Sequence, residues 1–390
     1  MHIVFFSVEI MGQNIMKITY VLVIMGYCLV ACVTPAPVAI VSPLSDTMTV
    51  SFAKWHKNYT SAVSMTFDHT WSRMVPWENV VPKIVADSAL PIDYDYTSEH
   101  YWSVYQKRNA VDTLHKILGI AFFAHGHRHI NNDELSYEDA KANFVECKDS
   151  MKAIGLNPLI YAYPSGYGYK ASTQRAAKDA GFLAARMFDP LESPYILPHN
   201  ETVPDWYRLP TLMMFRKEFQ DAYDFLRVNK TIINNTSQLL PHLKQNTDLR
   251  SWLILTYHMI GPTDHENTYE VRDLLSDIAA IRAEKPWLVR MQDAVVYLRE
   301  KEAAKVTLEH IRDSKGALQS AILSLDDALP DNVYSLPLTL ILTPPLQWKG
   351  KKLRIFAEND VVQRQLLERE NQVLMLTIIP DKKRYVVIAD

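Results

Sequence analysis

Ala62-Val63-Ser64-Met65-Thr66-Phe67-Asp68-His69-Thr70 is a mainly apolar run that stops on a carboxylate and an imidazole. A short run of this kind predicts a buried strand over residues 62–67. Asp68 and His69 then stand at its C-terminal end. In parallel sheets and barrels, ligands and catalytic groups gather at that end. Taken alone, Asp68 has a simpler reading, as a strand-ending residue that caps the following turn.

Working outward, the same pattern recurs. Residues 119–124 predict a second strand, followed at once by His125-Gly126-His127-Arg128-His129. Imidazole suits divalent zinc, nickel, copper or iron, and His125 and His129 converge on one ion if the segment turns helically. His127 then points elsewhere. A solvated, histidine-rich loop is the alternative. Residues 159–163 predict a strand leading into Tyr163-Pro164-Ser165-Gly166, a turn whose backbone N–H groups can face a ligand. Residues 182–185 predict another. Trp252-Leu253-Ile254-Leu255-Thr256-Tyr257-His258 is a buried strand ending in a histidine, a residue more often a hydrogen-bonded core group than a catalyst.

Helices fall between these strands. Ser136-Tyr137-Glu138-Asp139 looks like a capping box, and the helix it opens runs to Gly155. Residues 172–180 form a second helix stopped by Gly181, and residues 292–304 a last one. Alternating strands and helices predict an α/β fold with a parallel sheet or barrel. After about residue 305 the texture changes. Short strands at 333–342, 353–357, 373–379 and 385–388, with one short helical stretch near 363–368, predict a small antiparallel β-domain over 305–390.

Composition bounds the function. The 390 residues carry 41 Lys+Arg against 44 Asp+Glu, a net charge of −3, which argues against a nucleic-acid partner held by bulk charge. Three cysteines, Cys28, Cys32 and Cys147, make neither a disulfide framework nor a C-x-x-C zinc pair. A metal site must therefore rest on the 13 histidines and the carboxylates.

Residues 18–33 are apolar and uncharged, with Lys17 just before them, as in a signal peptide. They end in Leu29-Val30-Ala31-Cys32, which resembles the bacterial lipobox. That resemblance implies lipid attachment to Cys32 and cleavage before it, with Met16 as a plausible start. An ordinary cleaved signal or an uncleaved anchor is the alternative. The expected organisation is a lipoprotein signal over 1–31, a Pro-rich tether over 32–50, a catalytic domain over 51–304, and a β-sandwich-like domain over 305–390. The protein is then an exported lipoprotein of the cell envelope.

Taken together, the four strand-end clusters resemble the polysaccharide deacetylase family, carbohydrate esterase family 4, which carries the NodB homology domain. Its motifs are matched by Thr66-Phe67-Asp68-His69, by His125 with His129, by Ala162-Tyr163-Pro164-Ser165-Gly166, and by His258. The resemblance spans roughly residues 50–303. It implies a distorted (β/α) barrel with a small C-terminal antiparallel β-domain. It also implies a metal-dependent enzyme that removes acetyl groups from acetylated polysaccharide, cleaving a linear amide. Asp68 would be the general base, His125 and His129 metal ligands, the Ser165 backbone N–H an oxyanion donor, and His258 the general acid. The metal would be zinc, with cobalt, nickel or iron as alternatives.

Three positions depart from the family pattern. His69 replaces an aspartate ligand, which suggests a triad of His69, His125 and His129 with Asp68 as base; alternatively Asp68 is itself a ligand and the base is missing. Ala162 stands where an arginine often braces the base, leaving Arg186 and Arg128 as candidates for that task. Gly126 replaces Ser or Thr. An inactive glycan-binding lipoprotein, or a small-molecule C–N amide hydrolase on the same scaffold, is the alternative function.

Overall fold

The computed structural model describes residues 46–68, 75–99, 109–188, 193–197, 205–217, 232–258, 260–261, 269–358, 367–370 and 373–390. The leader, Cys32, the tether up to residue 45 and His69 lie outside the described residues.

Eight strands lie side by side: Ala184–Arg186, Ile160–Ala162, Ala121–Ala124, Ile92–Tyr96, Ala62–Asp68, Trp252–His258, Leu212–Met214 and Ile232–Ile233. Every neighbouring pair among them is parallel. A parallel bridge between Arg186 and Leu209 joins the first strand to the segment entering Leu212–Met214, and so curls the sheet into a distorted barrel. The fold is thus α/β, as the alternation of strands and helices implied.

A parallel sheet covered on both faces needs strands that bury both faces. All seven residues of Ala62–Asp68 and of Trp252–His258 are buried. Val63, Met65 and Phe67 pack outward with Val81, Val85 and Leu274 of the surrounding helices. The alternate residues face inward, where Ala62, Trp252 and Ile254 join Met291 and Val295 of the helix Met291–Ala303. That helix is capped from inside the sheet. Asp93 Oδ2 accepts from the Met291 N–H at 2.5 Å, and Oδ1 from Gln292 at 3.4 Å. Burial pushes the Asp93 carboxyl up to about 7 in spite of these donors.

The helix Tyr137–Ala153 starts where Ser136 accepts from the Asp139 N–H at 3.2 Å, and Gly155 follows its end at φ 91°. Cys147 is buried in it. Its thiol donates to the Tyr96 carbonyl at 3.4 Å, and burial pushes it up to about 12, which makes it a packing residue.

Residues 305–390 build antiparallel sheets. One joins Lys305–Arg312, Leu318–Asp326, Asp381–Ala389 and Leu353–Ala357; the other joins Leu338–Thr343, Val373–Ile378 and Leu367–Glu370. The strand Thr49–Phe52 pairs with Leu338–Thr343 in the second sheet. Alternate residues of both sheets, among them Leu323, Leu340, Leu376 and Val387, share one apolar cluster with Trp252 and Met291 of the barrel. Residues 45–390 accordingly form one compact unit. The strands Lys305–Arg312 and Leu318–Asp326 escaped the sequence reading because charged and polar residues alternate with their apolar ones. The helical stretch expected near 363–368 falls largely outside the described residues, and Leu367–Glu370 is a strand.

The helix Met291–Ala303 is tied to the sandwich through a buried carboxyl. Glu300, with no exposed surface, accepts from the Leu336 N–H at 3.1 Å. Asp327 accepts from the Leu329 N–H at 2.9 Å and lies close to Glu300. Burial, then the Asp327 charge, pushes Glu300 up to about 8. The unfolded chain releases this proton near the ordinary glutamate value, whereas the folded chain keeps it until about pH 8. Stability should therefore fall as pH rises from about 4.5 to 8. In denaturant melts across that window, Glu300→Gln should flatten the decline; an unchanged slope would show that Glu300 does not hold the proton.

Candidate active site

Register brings two of the expected residues together. His258 is the cross-strand partner of Asp68, and both are buried at the C-terminal ends of their strands. Asp68 is braced by Arg186, the last residue of Ala184–Arg186. Arg186 Nη2 donates to Asp68 Oδ1 at 2.6 Å, and Nη1 donates to Thr256 Oγ at 2.6 Å. The guanidinium is 1% exposed and lies over Phe123 at 5.2 Å and Phe188 at 5.5 Å. Aromatic faces suit a cation that has left water. Arg128, the other candidate brace, is exposed and lies 3.8 Å from Glu99.

Thr256 belongs to a hydroxyl chain inside the barrel. Its Oγ is 2.7 Å from Thr211 Oγ and 3.0 Å from Thr66 Oγ. Thr211 donates to the Ile254 carbonyl at 2.9 Å and Thr66 to the Leu255 carbonyl at 3.2 Å. Their protons are thus committed, and Thr256 is left to donate to one of the two oxygens. The chain holds Arg186 in place, and Arg186 in turn holds Asp68.

His125 follows the strand Ala121–Ala124 and is buried. Its Nδ1 lies 2.9 Å from the Ala162 carbonyl oxygen. A carbonyl only accepts, so Nδ1 carries the proton and Nε2 the lone pair, the tautomer a metal ligand needs. The His129 ring lies 4.9 Å from that of His125, at 64°. His127 turns away, with its Nδ1 2.8 Å from Ser98 Oγ. The loop turns at Gly126, at φ 96°, where a Cβ would come within 2.5 Å of the Arg128 carbonyl oxygen. Ser or Thr does not fit that backbone, which accounts for the departure noted at this position. Asn143 anchors the same loop: its Oδ1 accepts from the Arg128 N–H at 2.8 Å, and its Nδ2 donates to Asn132 Oδ1 at 2.9 Å.

Ser165 lies in the turn after Ile160–Ala162, the strand whose Ala162 carbonyl holds His125. Its φ of 54° is left-handed, which costs a non-glycine residue about 1–2 kcal/mol. Tyr163, which opens that turn, is buried, and its hydroxyl donates to the Tyr207 carbonyl at 3.1 Å.

His258 ties the cluster together electrically. Burial pushes its imidazole down to about 3; the Asp68 carboxylate opposes this, and His129, His125 and Arg186 add to it. Phe215 lies 5.0 Å from its ring. The imidazole is therefore neutral at ordinary pH.

Among the described residues no group of three or more His, Cys, Asp or Glu forms a metal cage. His125, in the required tautomer, and His129, with its ring 4.9 Å away, supply two neighbouring imidazoles, so the donor chemistry fits a divalent transition metal as far as it is described. The third expected ligand, His69, lies outside the described residues.

No protein-family model matches the chain, and no curated protein matches it. Solved structures similar to it include polysaccharide deacetylases, family 4 carbohydrate esterases and an allantoinase. One is a candidate polysaccharide deacetylase from Mycobacterium smegmatis, at 16% identity and TM-score 0.46, covering 67% of this chain and 96% of that one. Another is a family 4 pseudoenzyme from Bacillus anthracis, at 12% identity and TM-score 0.40, covering 62% and 66%. A third is a family 4 carbohydrate esterase from Streptomyces lividans in complex with acetate, at 10% identity and TM-score 0.35, covering 58% and 88%.

Two outcomes follow from this geometry. Arg186→Leu leaves Asp68 buried without its cation and should cost about 3–5 kcal/mol in denaturant melts. Adding Asp68→Asn should recover part of that loss; if the two changes simply add, the pair is not coupled. For His258, the unfolded chain gains a proton near pH 6.5 but the folded one not until about 3. Stability of metal-free protein should thus drop as pH falls through that window, by at most about 1.4 kcal/mol per pH unit. His258→Gln should remove that share of the slope.

Proposed function

We propose that this protein is a metal-dependent deacetylase of acetylated sugar polymers, N-acetylated or O-acetylated, exported and lipid-anchored through Cys32. What supports the reading most is the Asp68–Arg186 ion pair at 2.6 Å, set across the register from His258 and in one electrostatic neighbourhood with His125 and His129. The apolar run at 18–33 and its Leu29-Val30-Ala31-Cys32 ending support export and anchoring.

The ion would be held by His125, His129 and His69, and its chemistry is Lewis acidity toward the acetyl carbonyl and toward water. Asp68 takes a proton from the attacking water, and Arg186 keeps the receiving oxygen in place. The new C–O bond forms as negative charge builds on the carbonyl oxygen, where the Ser165 N–H is the expected donor. The C–N bond then breaks, giving acetate and an amine. The leaving nitrogen needs a proton, and His258 delivers it. Neutral in the resting protein, His258 must first gain that proton, and its cross-strand neighbour Asp68 holds the one taken from water.

The test is acetate release by the purified, zinc-loaded protein from acetylated chito-oligosaccharides and peptidoglycan. Asp68→Asn should lower turnover by about 10²–10⁴-fold while zinc content stays intact. Loss of zinc from that variant would make Asp68 a ligand instead. Glycan binding without acetate from any substrate, with zinc bound, would favour the inactive glycan-binding reading.

A further inference from the structure

The barrel carries a second carboxylate beside Asp68. In the strand Ile92–Tyr96, Ile92, Tyr94 and Tyr96 pack outward in the same apolar cluster as Met65 and Phe67. Side chains alternate along a strand, so Asp93 and Asp95 face inward. Asp93 verifies the direction by capping the inner helix Met291–Ala303. Phe67 pairs with Tyr94, and Asp95 pairs with Phe123. One step along, Asp95 comes level with Asp68 on one side and, on the other, with Phe123, the ring under the Arg186 guanidinium. Asp95 is fully buried. It is therefore a core carboxylate at the level of the proposed chemistry.

Charge balance says what it does there. Arg186 is a permanent cation, and Asp68 cancels it. The imidazoles bind a metal as neutral groups. Among the described residues, a divalent ion would thus add two positive charges beside an ion pair that is already neutral, which is unfavourable unless a further buried anion compensates. We propose that Asp95 is that anion: a positioning residue that sets the site's affinity for its divalent ion through charge, from the strand next to Asp68. This rests on the metal-dependent reading above.

The measurement is competition between the full chain and a chromogenic chelator for Zn²⁺, alongside melts of the metal-free protein. Asp95→Asn should weaken zinc binding about 10–100-fold, the size expected for a group acting from behind the ligands. Its metal-free melting temperature, read alongside, separates a loss of affinity from a loss of fold. Asp95→Glu, which keeps the charge, should bind zinc more tightly than Asp95→Asn. If Asp95→Asn does not fold, Asp95→Glu is compared with Asp95→Ser, and equal affinities overturn the proposal. Wild-type affinity in Asp95→Asn overturns it and leaves the deacetylase reading standing. A wild-type chain that binds no divalent ion overturns both.

Discussion

Burying a carboxylate next to a guanidinium at the mouth of a parallel barrel is the constraint from which the site's design follows. Neither Asp68 nor Arg186 has water to solvate it, so each requires the other, and both require fixed partners. The Thr256, Thr211 and Thr66 hydroxyls, and the Phe123 and Phe188 rings, meet that need from three strands and two adjoining loop positions. A side chain so tightly held keeps its orientation, which is what the proposed role of Asp68 as a proton acceptor would demand. His258 feels the same enclosure as a loss of basicity.

The lower half of the barrel solves a different problem. Small and apolar inward residues leave room for the helix Met291–Ala303, which Asp93 caps and Glu300 ties to the sandwich. One apolar cluster then runs from Trp252 through Met291 to Leu340 and Val387. The C-terminal sheets therefore share a core with the barrel, and Thr49–Phe52 joins them from the other end of the chain. Site and support are segregated along the barrel axis, with charged groups at the strand ends and apolar packing below.

Much of this was legible in the sequence wherever apolar runs were unbroken. Ala62–Asp68 and Trp252–His258 announce themselves because both faces are buried and nearly every residue is apolar or small. The helix after Ser136 announced itself through its cap. Ile92–Tyr96 did not, because its inward positions are aspartates, and Ile-Asp-Tyr-Asp-Tyr looks like an exposed alternating strand. The period-two alternation was the available signal, and its meaning depended on which face was inside. Arg186 was within reach as one of two candidates, but choosing it over Arg128 needed the packing of Ala184–Arg186 against its neighbours.

The sequence by itself determined the order of the strands and helices and which residues end the strands, since hydrophobic periodicity and capping are local and carried by neighbours along the chain. It also determined which residue types stand at those ends. Only the tertiary structure decided that Asp68 faces His258, that Arg186 rather than Arg128 braces it, that Ala162 sets the His125 tautomer, and that Asp95 stands level with them. Each of these contacts joins positions tens to hundreds of residues apart. Strand register and barrel curvature, which no local pattern encodes, bring them within hydrogen-bonding or Coulomb reach.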